Sequence, residues 1–406
     1  MAMRHPQRCL RPRAIDALDL TRAKHEGTGV NRAKSKSMSM VSCMVIATLA
    51  LTAPGVALAQ SSVVLQGVID AGVTYVNNQH GGAAVLFDSG ILTPSTFTLK
   101  GREDLGGGNA AVFELTSQFD VGSGATIPGA GEVFNRTALV GLENNRFGSF
   151  TFGNQYDFMF ETLTLGLYDG ALLFGGLYDF RQGPFAALGV PNNPTGSFDF
   201  DRMAGGTRVP NSVKYRSPDI SGLTFGALYG FGGVPGSFAS DSTTSLGANY
   251  ANGPVGFGAA YVEVKYPQLG NGHDGIRNFG FGAHYKFAHV IAMVLYTNTK
   301  NTASGAVIDV YKTGAYWNIA GPWALGLDYE YMSGNSVLLN NKARQVTSAL
   351  QYNFSKRTTL YVEAIYQRAS GDGPLTQAWI NGLMQPNSAA SNRSQTLTRI
   401  GLQTKF

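Results

Sequence analysis

The last nine residues alternate strictly between two kinds of side chain. Read back from the end of the chain, Phe406, Thr404, Leu402, Ile400 and Thr398 fall on one side, and Lys405, Gln403, Gly401 and Arg399 on the other. Successive strand side chains point to opposite faces, so this segment is a strand with one apolar and one polar face. The alternation recurs. Val63, Leu65, Ile69, Ala71, Val73 and Tyr75 oppose Gln66, Asp70 and Thr74; Trp323, Leu325, Leu327, Tyr329 and Tyr331 oppose Asp328 and Glu330. A charge at every second position costs little only where that face meets water, and an apolar row in water would aggregate. Lipid outside and water inside satisfy both faces, and closure into a barrel removes the unpaired edges.

Composition agrees with this reading. No stretch approaches the ~18 consecutive apolar residues of a helical membrane span. Gly supplies 52 of 406 residues, roughly twice its usual share, beside 18 Tyr and 24 Phe, which suits a bending barrel with aromatic girdles. The net charge of +5 comes from the N-terminal segment. Nine of 31 bases and three of 26 acids precede residue 60, so the rest carries 22 bases and 23 acids, a net of −1. The basic balance is therefore no sign of nucleic-acid binding. Both cysteines, Cys9 and Cys43, lie in the same segment, which leaves no thiol chemistry to the remainder.

That segment has the parts of an export signal. Arg32, Lys34 and Lys36 precede a short apolar run, Val41 to Thr52, and Ala57-Leu58-Ala59 is an A-x-A cleavage site, so the mature chain is expected to begin at Gln60. Residues 1–29 are too long and too mixed in charge for such a signal. They are expected not to be translated, with Val30 as the start. Two regions follow: an extension and signal over 1–59, and a barrel over 60–406.

Sixteen strands are expected, at about 63–76, 95–104, 109–120, 133–142, 147–155, 210–217, 223–231, 243–252, 255–265, 277–287, 289–299, 307–318, 322–332, 343–354, 357–368 and 395–406. The fold class is all-β, a sixteen-stranded antiparallel transmembrane barrel. Short turns, such as Gly106-Gly107-Gly108 and Ser355-Lys356, alternate with longer links, among them 77–94 and 156–209. The 156–209 link, the third long one, is rich in Phe, Leu and Tyr. That composition argues against disorder and for a loop folded inward against the wall.

Several motifs resemble one family. They are Leu99-Lys100-Gly101-Arg102-Glu103-Asp104-Leu105-Gly106-Gly107, Asn135-Arg136-Thr137-Ala138-Leu139-Val140-Gly141-Leu142, Gly148-Ser149-Phe150, Asn211-Ser212-Val213-Lys214-Tyr215 and the terminal Phe406. In order and spacing, Gln60 to Phe406 resembles the general diffusion porins of Gram-negative outer membranes, especially those of β-proteobacteria. The resemblance implies a homotrimer in outer-membrane lipid and lipopolysaccharide, passing ions and small hydrophilic solutes. It also implies a constriction where acids on the third loop face arginines on the wall. Position by position, Arg136 and Arg202 match the arginines and Asp169 matches a loop acid. Thr96 and Asn154 stand where arginine is usual, and Leu173 replaces a second acid, so the constriction is expected to carry less charge than the family norm.

Residues 156–209 hold Asp157, Glu161, Asp169, Asp179, Asp199 and Asp201 against Arg181, Arg202 and Arg208. That excess of acids predicts a weak cation preference. The aromatic residues Phe174, Tyr178, Phe180, Phe185, Phe198 and Phe200 keep a rival open: a substrate-specific channel with an aromatic-lined loop. The histidines His80, His273, His284 and His289 share no metal-ligand spacing, and no Gly-x-Ser-x-Gly elbow occurs, so no metal, cofactor or catalysis is expected.

Overall fold

The computed structural model describes residues 62–127, 132–167, 175–373, 376–384 and 388–406. The expected signal (1–59) and the site candidates Asp169 and Leu173 lie outside the described residues. The strands are β1 (Ser62–Gln79), β2 (Gly82–Ser89), β3 (Thr96–Gly106), β4 (Asn109–Gln118), β5 (Thr137–Asn144), β6 (Gly148–Gln155), β7 (Val209–Arg216), β8 (Leu223–Gly230) and β9 (Thr243–Asn252). They continue as β10 (Val255–Lys265), β11 (Gly275–Phe287), β12 (Val290–Asn301), β13 (Val307–Ala320), β14 (Trp323–Gly334), β15 (Lys342–Asn353), β16 (Thr358–Ser370) and β17 (Ser394–Lys405).

From β3 onward each strand pairs antiparallel with the next, and β17 pairs back onto β1 from Val68↔Lys405 to Val76↔Leu397, which closes the barrel. The other edge of β1 is shared. Its first half pairs with β3, from Ser62↔Arg102 to Val68↔Thr96, and its second half with β2, from Ala71↔Ser89 to Gln79↔Gly82. β2 and β3 thus form one interrupted stave, and the barrel has sixteen. Here the expectation needs correction: 77–94 is not a long link. His80 and Gly81, both with positive φ, make a tight turn, and the chain returns at once as β2. The break between β2 and β3 carries Ile91 and Leu92, both buried. Two apolar residues in a row spoil the period of two, which hid the strand from a pattern reading.

The alternation sets the two faces. On β16, Val362 (47% exposed) and Tyr366 (42%) point outward, while Glu363 and Gln367 are fully buried on the inner face. Exposed apolar side chains outside and polar ones inside invert a soluble protein, as lipid requires. The described parts of the 156–208 segment, 156–167 and 175–208, pack against the inner face. Phe158, Met159, Leu163 and Leu167 meet Leu228, Ala260, Val262, Met293 and Leu295 of the wall; Phe185, Leu188 and Phe200 meet Ile308, Val310 and Met332. The segment after β16 joins them, with Ile380 and Leu383 packed on Ile91, Tyr178, Ile365 and Leu397.

Candidate functional site

Two cavities share one side of the barrel. The larger, about 1040 Å³, is lined by Thr96, Thr98, Thr116, Gln118 and Arg136 on the wall and by Tyr156, Asp199, Arg202 and Leu177 across from it. The smaller, about 500 Å³, lies toward the turn end, among Arg102, Glu143, Ser149, Glu161, Lys214 and Arg216. Gln66, Lys100, Glu114, Thr137 and Tyr156 line both, so the two cavities are neighbours on the β3 to β7 wall. The structure brings Arg136, Arg202 and Thr96 to this cavity.

Arg136 sits just before β5, not within the expected strand 133–142. That explains its inconsistent parity: Ala138 and Val140, which share its parity, turn outward, whereas Arg136 is buried. Its backbone N–H donates to the Thr116 carbonyl at 3.1 Å, which fixes the entry to the strand. Its Nε donates to the Tyr156 hydroxyl at 2.8 Å, Nη1 to Gln118 Oε1, and Nη2 to the Gly205 carbonyl at 3.5 Å. Arg208 lies 4.9 Å from the centre of the same tyrosine ring and donates from Nε to the Arg136 carbonyl at 2.9 Å. Burial, and then the neighbouring Arg136, pull the Arg208 guanidinium down to about 10. Among the described residues every acceptor of these two cations is neutral.

Several other charges of the site are paired. Arg202 Nε lies 2.6 Å from Asp157 Oδ2, and its Nη1 donates to Thr207 Oγ1 at 2.6 Å. Lys100 pairs with Glu114 at 3.0 Å, and Lys214 with Glu161. Asp199 staples the turn that carries Arg202. Its carboxylate accepts from the Ala204 N–H at 2.7 Å and the Gly206 N–H at 2.8 Å. Both Asp199 (φ 47) and Arg202 (φ 65) are left-handed, a strained conformation for residues with a side chain. Burial, reinforced by Asp201, pushes the Asp199 carboxyl up to about 7.

Two anchors hold the 156–208 segment. At its start, the π-helical turn Met159–Gly166 lies in a groove floored by glycines. A Cβ on Gly226 or Gly247 would run into Phe158, and one on Gly258 or Gly280 would crowd Leu163. Gly226 faces Gly247 across β8 and β9, so the groove is continuous there. Further along, Asp179 pairs with Lys312 at 2.7 Å, which also reaches Asp328 at 3.0 Å. Arg181 pairs with Glu330 at 3.2 Å and Asp201 at 3.4 Å. The Tyr178 hydroxyl donates to Asp88 of β2, which is held in turn by Arg399.

Several of the aromatic residues pack as anchors, while Phe198 is half-buried and lines the larger cavity together with Tyr178, Phe180 and Phe200. Phe185 and Phe200 meet edge to face at 5.9 Å and are buried, as are Tyr178 and Phe180; Phe174 lies outside the described residues. Sequence reasoning missed Tyr156, Gln118 and the groove. Glycines recurring on the inner parity of β8 to β11 were the available signal.

Comparison with known proteins is consistent across sequence and structure. Residues 46–372 match the family model described as Gram-negative porin. The chain is 30% identical over 375 residues to the outer membrane porin protein 32 of Delftia acidovorans, covering 89% of this chain and 99% of that protein. Among solved structures it resembles the anion-selective porin from Comamonas acidovorans, with a TM-score of 0.69 at 23% identity over 86% of this chain and 100% of that one. It also resembles the trimer form of OmpT from Vibrio cholerae, with a TM-score of 0.60 at 16% identity over 85% and 99%. At these identities the structural likeness speaks for the fold.

Proposed function

The chain belongs to the family of Gram-negative porins and is an outer-membrane protein, and from that premise we propose a general diffusion channel for ions and small hydrophilic solutes. The observation that carries this is the pair of neighbouring cavities that share Thr137 and Tyr156, which we read as one path along β3 to β7. In this reading the 156–208 segment is the inward loop, and Arg136, Arg202 and Thr96 belong to the constriction. Asp169 and Leu173 are assigned to its loop side from the family pattern alone.

For selectivity we infer a weak anion preference, opposite to the expectation from formal charge. Four of the six acids that gave the excess are paired: Asp157 with Arg202, Glu161 with Lys214, Asp179 with Lys312 and Asp201 with Arg181. Asp199 is half neutral near pH 7. Arg136 and Arg208 keep charge opposite neutral acceptors, and a fixed charge beside a narrow path biases which ion enters. Tyr178, Phe180, Phe198 and Phe200 line the larger cavity, so the rival reading, an aromatic-lined specific channel, is separated from this one by the recording below. A homotrimer and removal of residues before Gln60 complete the proposal. Planar-bilayer recording tests it. Current is expected to rise with salt without saturation, with a reversal potential of anion sign under a gradient. Block by one solute at low concentration would favour the specific channel instead.

A further inference from the structure

The segment after β16 takes hold of the inward segment through one side chain. Its stretch 376–384 is seated by two glutamines of the inner wall. Gln367 Oε1 accepts the Trp379 N–H at 2.7 Å, and Gln395 Oε1 accepts the Ile380 N–H at 2.8 Å. The next residue, Asn381, is fully buried. Its Nδ2 donates to the Leu177 carbonyl at 2.9 Å. Its Oδ1 accepts the Asp199 N–H at 3.2 Å, a donor shared with the Arg181 carbonyl at 3.0 Å. Leu177 and Asp199 stand on the outgoing and the returning limb of the inward segment, and both line the larger cavity. Serving both takes a side chain with one donor and one acceptor, as an amide has. The approach is close enough to require glycine next door. Gly382 is left-handed (φ 82), and a Cβ there would lie 3.1 Å from the Tyr178 ring and 3.2 Å from the Leu177 side chain. Gly382, Leu383 and Met384 then line the larger cavity themselves.

We propose that Asn381 is a positioning residue for the ion path, holding the turn that carries Asp199 and Arg202 against the Leu177 limb. The inference rests on the reading of the larger cavity as part of that path. Asp199 and Arg202 are the left-handed residues of this turn, and such a conformation persists only while its surroundings over-determine it. Asn278 of β11 holds the neighbouring Phe200 carbonyl at 2.8 Å, whereas Asn381 holds Asp199 itself. Without the amide, the Asp199 N–H keeps the Arg181 carbonyl alone and the Leu177 carbonyl is left buried without this donor. The turn then relaxes, water reaches the Asp199 carboxyl, and the group carries its charge beside the path.

The test is planar-bilayer recording of protein purified from outer membranes, with reversal potentials under a salt gradient. Asn381→Leu removes donor and acceptor at similar size. It is expected to move the permeability ratio toward cations by roughly twofold, the scale of one partly solvated charge. Asn301→Leu is the comparison. Asn301 is also buried and donates from Nδ2 to the Leu188 carbonyl at 2.9 Å, where Leu188 packs on Ile308 and Val310 of the wall. Its loss should lower the unfolding temperature to a similar extent and leave the permeability ratio at the wild-type value. If Asn381→Leu does not insert, Asn381→Ser, whose shorter hydroxyl cannot bridge both limbs, should shift the ratio in the same direction by less. A conducting wild type with the same ratio in the Asn381 and Asn301 variants overturns the positioning role alone. A wild type that passes no current overturns the channel reading, and the positioning role with it.

Discussion

The two sides of this barrel wall use similar inner-face chemistry for opposite ends. Along β11 to β17 the strands run 12 to 14 residues, and inner-face polar groups such as Gln345, Thr347, Glu363 and Gln367 are fully buried. Along β5 to β8 the strands are 8 residues long. On the path side, from β3 to β7, inner-face groups such as Lys100, Glu114 and Gln118 border open space. A polar side chain facing inward can be satisfied by water or by another segment of chain. On the tall side the Tyr178 carbonyl accepts from Gln345, and Arg181 and Asp179 pair with Glu330 and Lys312; the low-side groups border open space.

Breaking the tall side should have the largest effect. Lys312→Ala leaves Asp179, Asp328 and Glu330 with an uncompensated buried excess, a loss of about 3–5 kcal/mol. Thermal unfolding reports the loss, and single-channel recordings should show the freed segment as larger, noisier currents. Stability and conductance both unchanged would mean that the ion cluster does not anchor the segment.

Filling the groove is next. A Gly247→Val side chain would collide with Phe158 and Thr162, at about 1–3 kcal/mol for overpacking. Because the turn can only lift into the path, conductance should fall, the opposite sign to Lys312→Ala. A rise would place the turn elsewhere.

On the low side the effects are electrical. Arg136→Ala should move the permeability ratio toward cations by roughly twofold, the scale of one partly solvated charge. The shift should shrink at ~1 M salt, where the Debye length is about 3 Å. Reversal potentials at two salt concentrations check both statements.

Asp199 adds a pH arm. Its native pKa is raised from 3.8 to about 7, so the folded protein holds this proton more tightly than the unfolded chain. The resulting stability is fully present below the ordinary value and is lost as pH rises through about 7. Over the same range the carboxylate gains charge beside the path, so cation permeability should climb between pH 6 and pH 8. Asp199→Asn should flatten that slope, and a slope that persists assigns the titration to another group.

The smallest effect belongs to Thr98→Val. Thr98 shares a 2.9 Å hydroxyl contact with Thr116, which keeps Glu114 as a second partner. Unfolding should shift by no more than about 0.5 kcal/mol. A much larger loss would mean the low side is packed like the tall one.

The alternating side chains determined the barrel, because period two leaves a residue only two faces and the composition of each face names its solvent. Fifteen of the sixteen staves are readable this way; only the second, interrupted at Ile91-Leu92, escapes in its first half. The motif around Arg136 pointed to the cavity, although local pattern alone would have turned that residue outward. What tertiary structure decided was pairing. Six acids against three arginines is a count, and selectivity depends on which of them meet. Asp157 finds Arg202 45 residues away, Asp179 finds Lys312 133 away, and Tyr156 gathers Arg136 and Arg208 from either side. Contacts at such separations follow from how a closed barrel brings a long segment back against its own wall, and no local pattern encodes them.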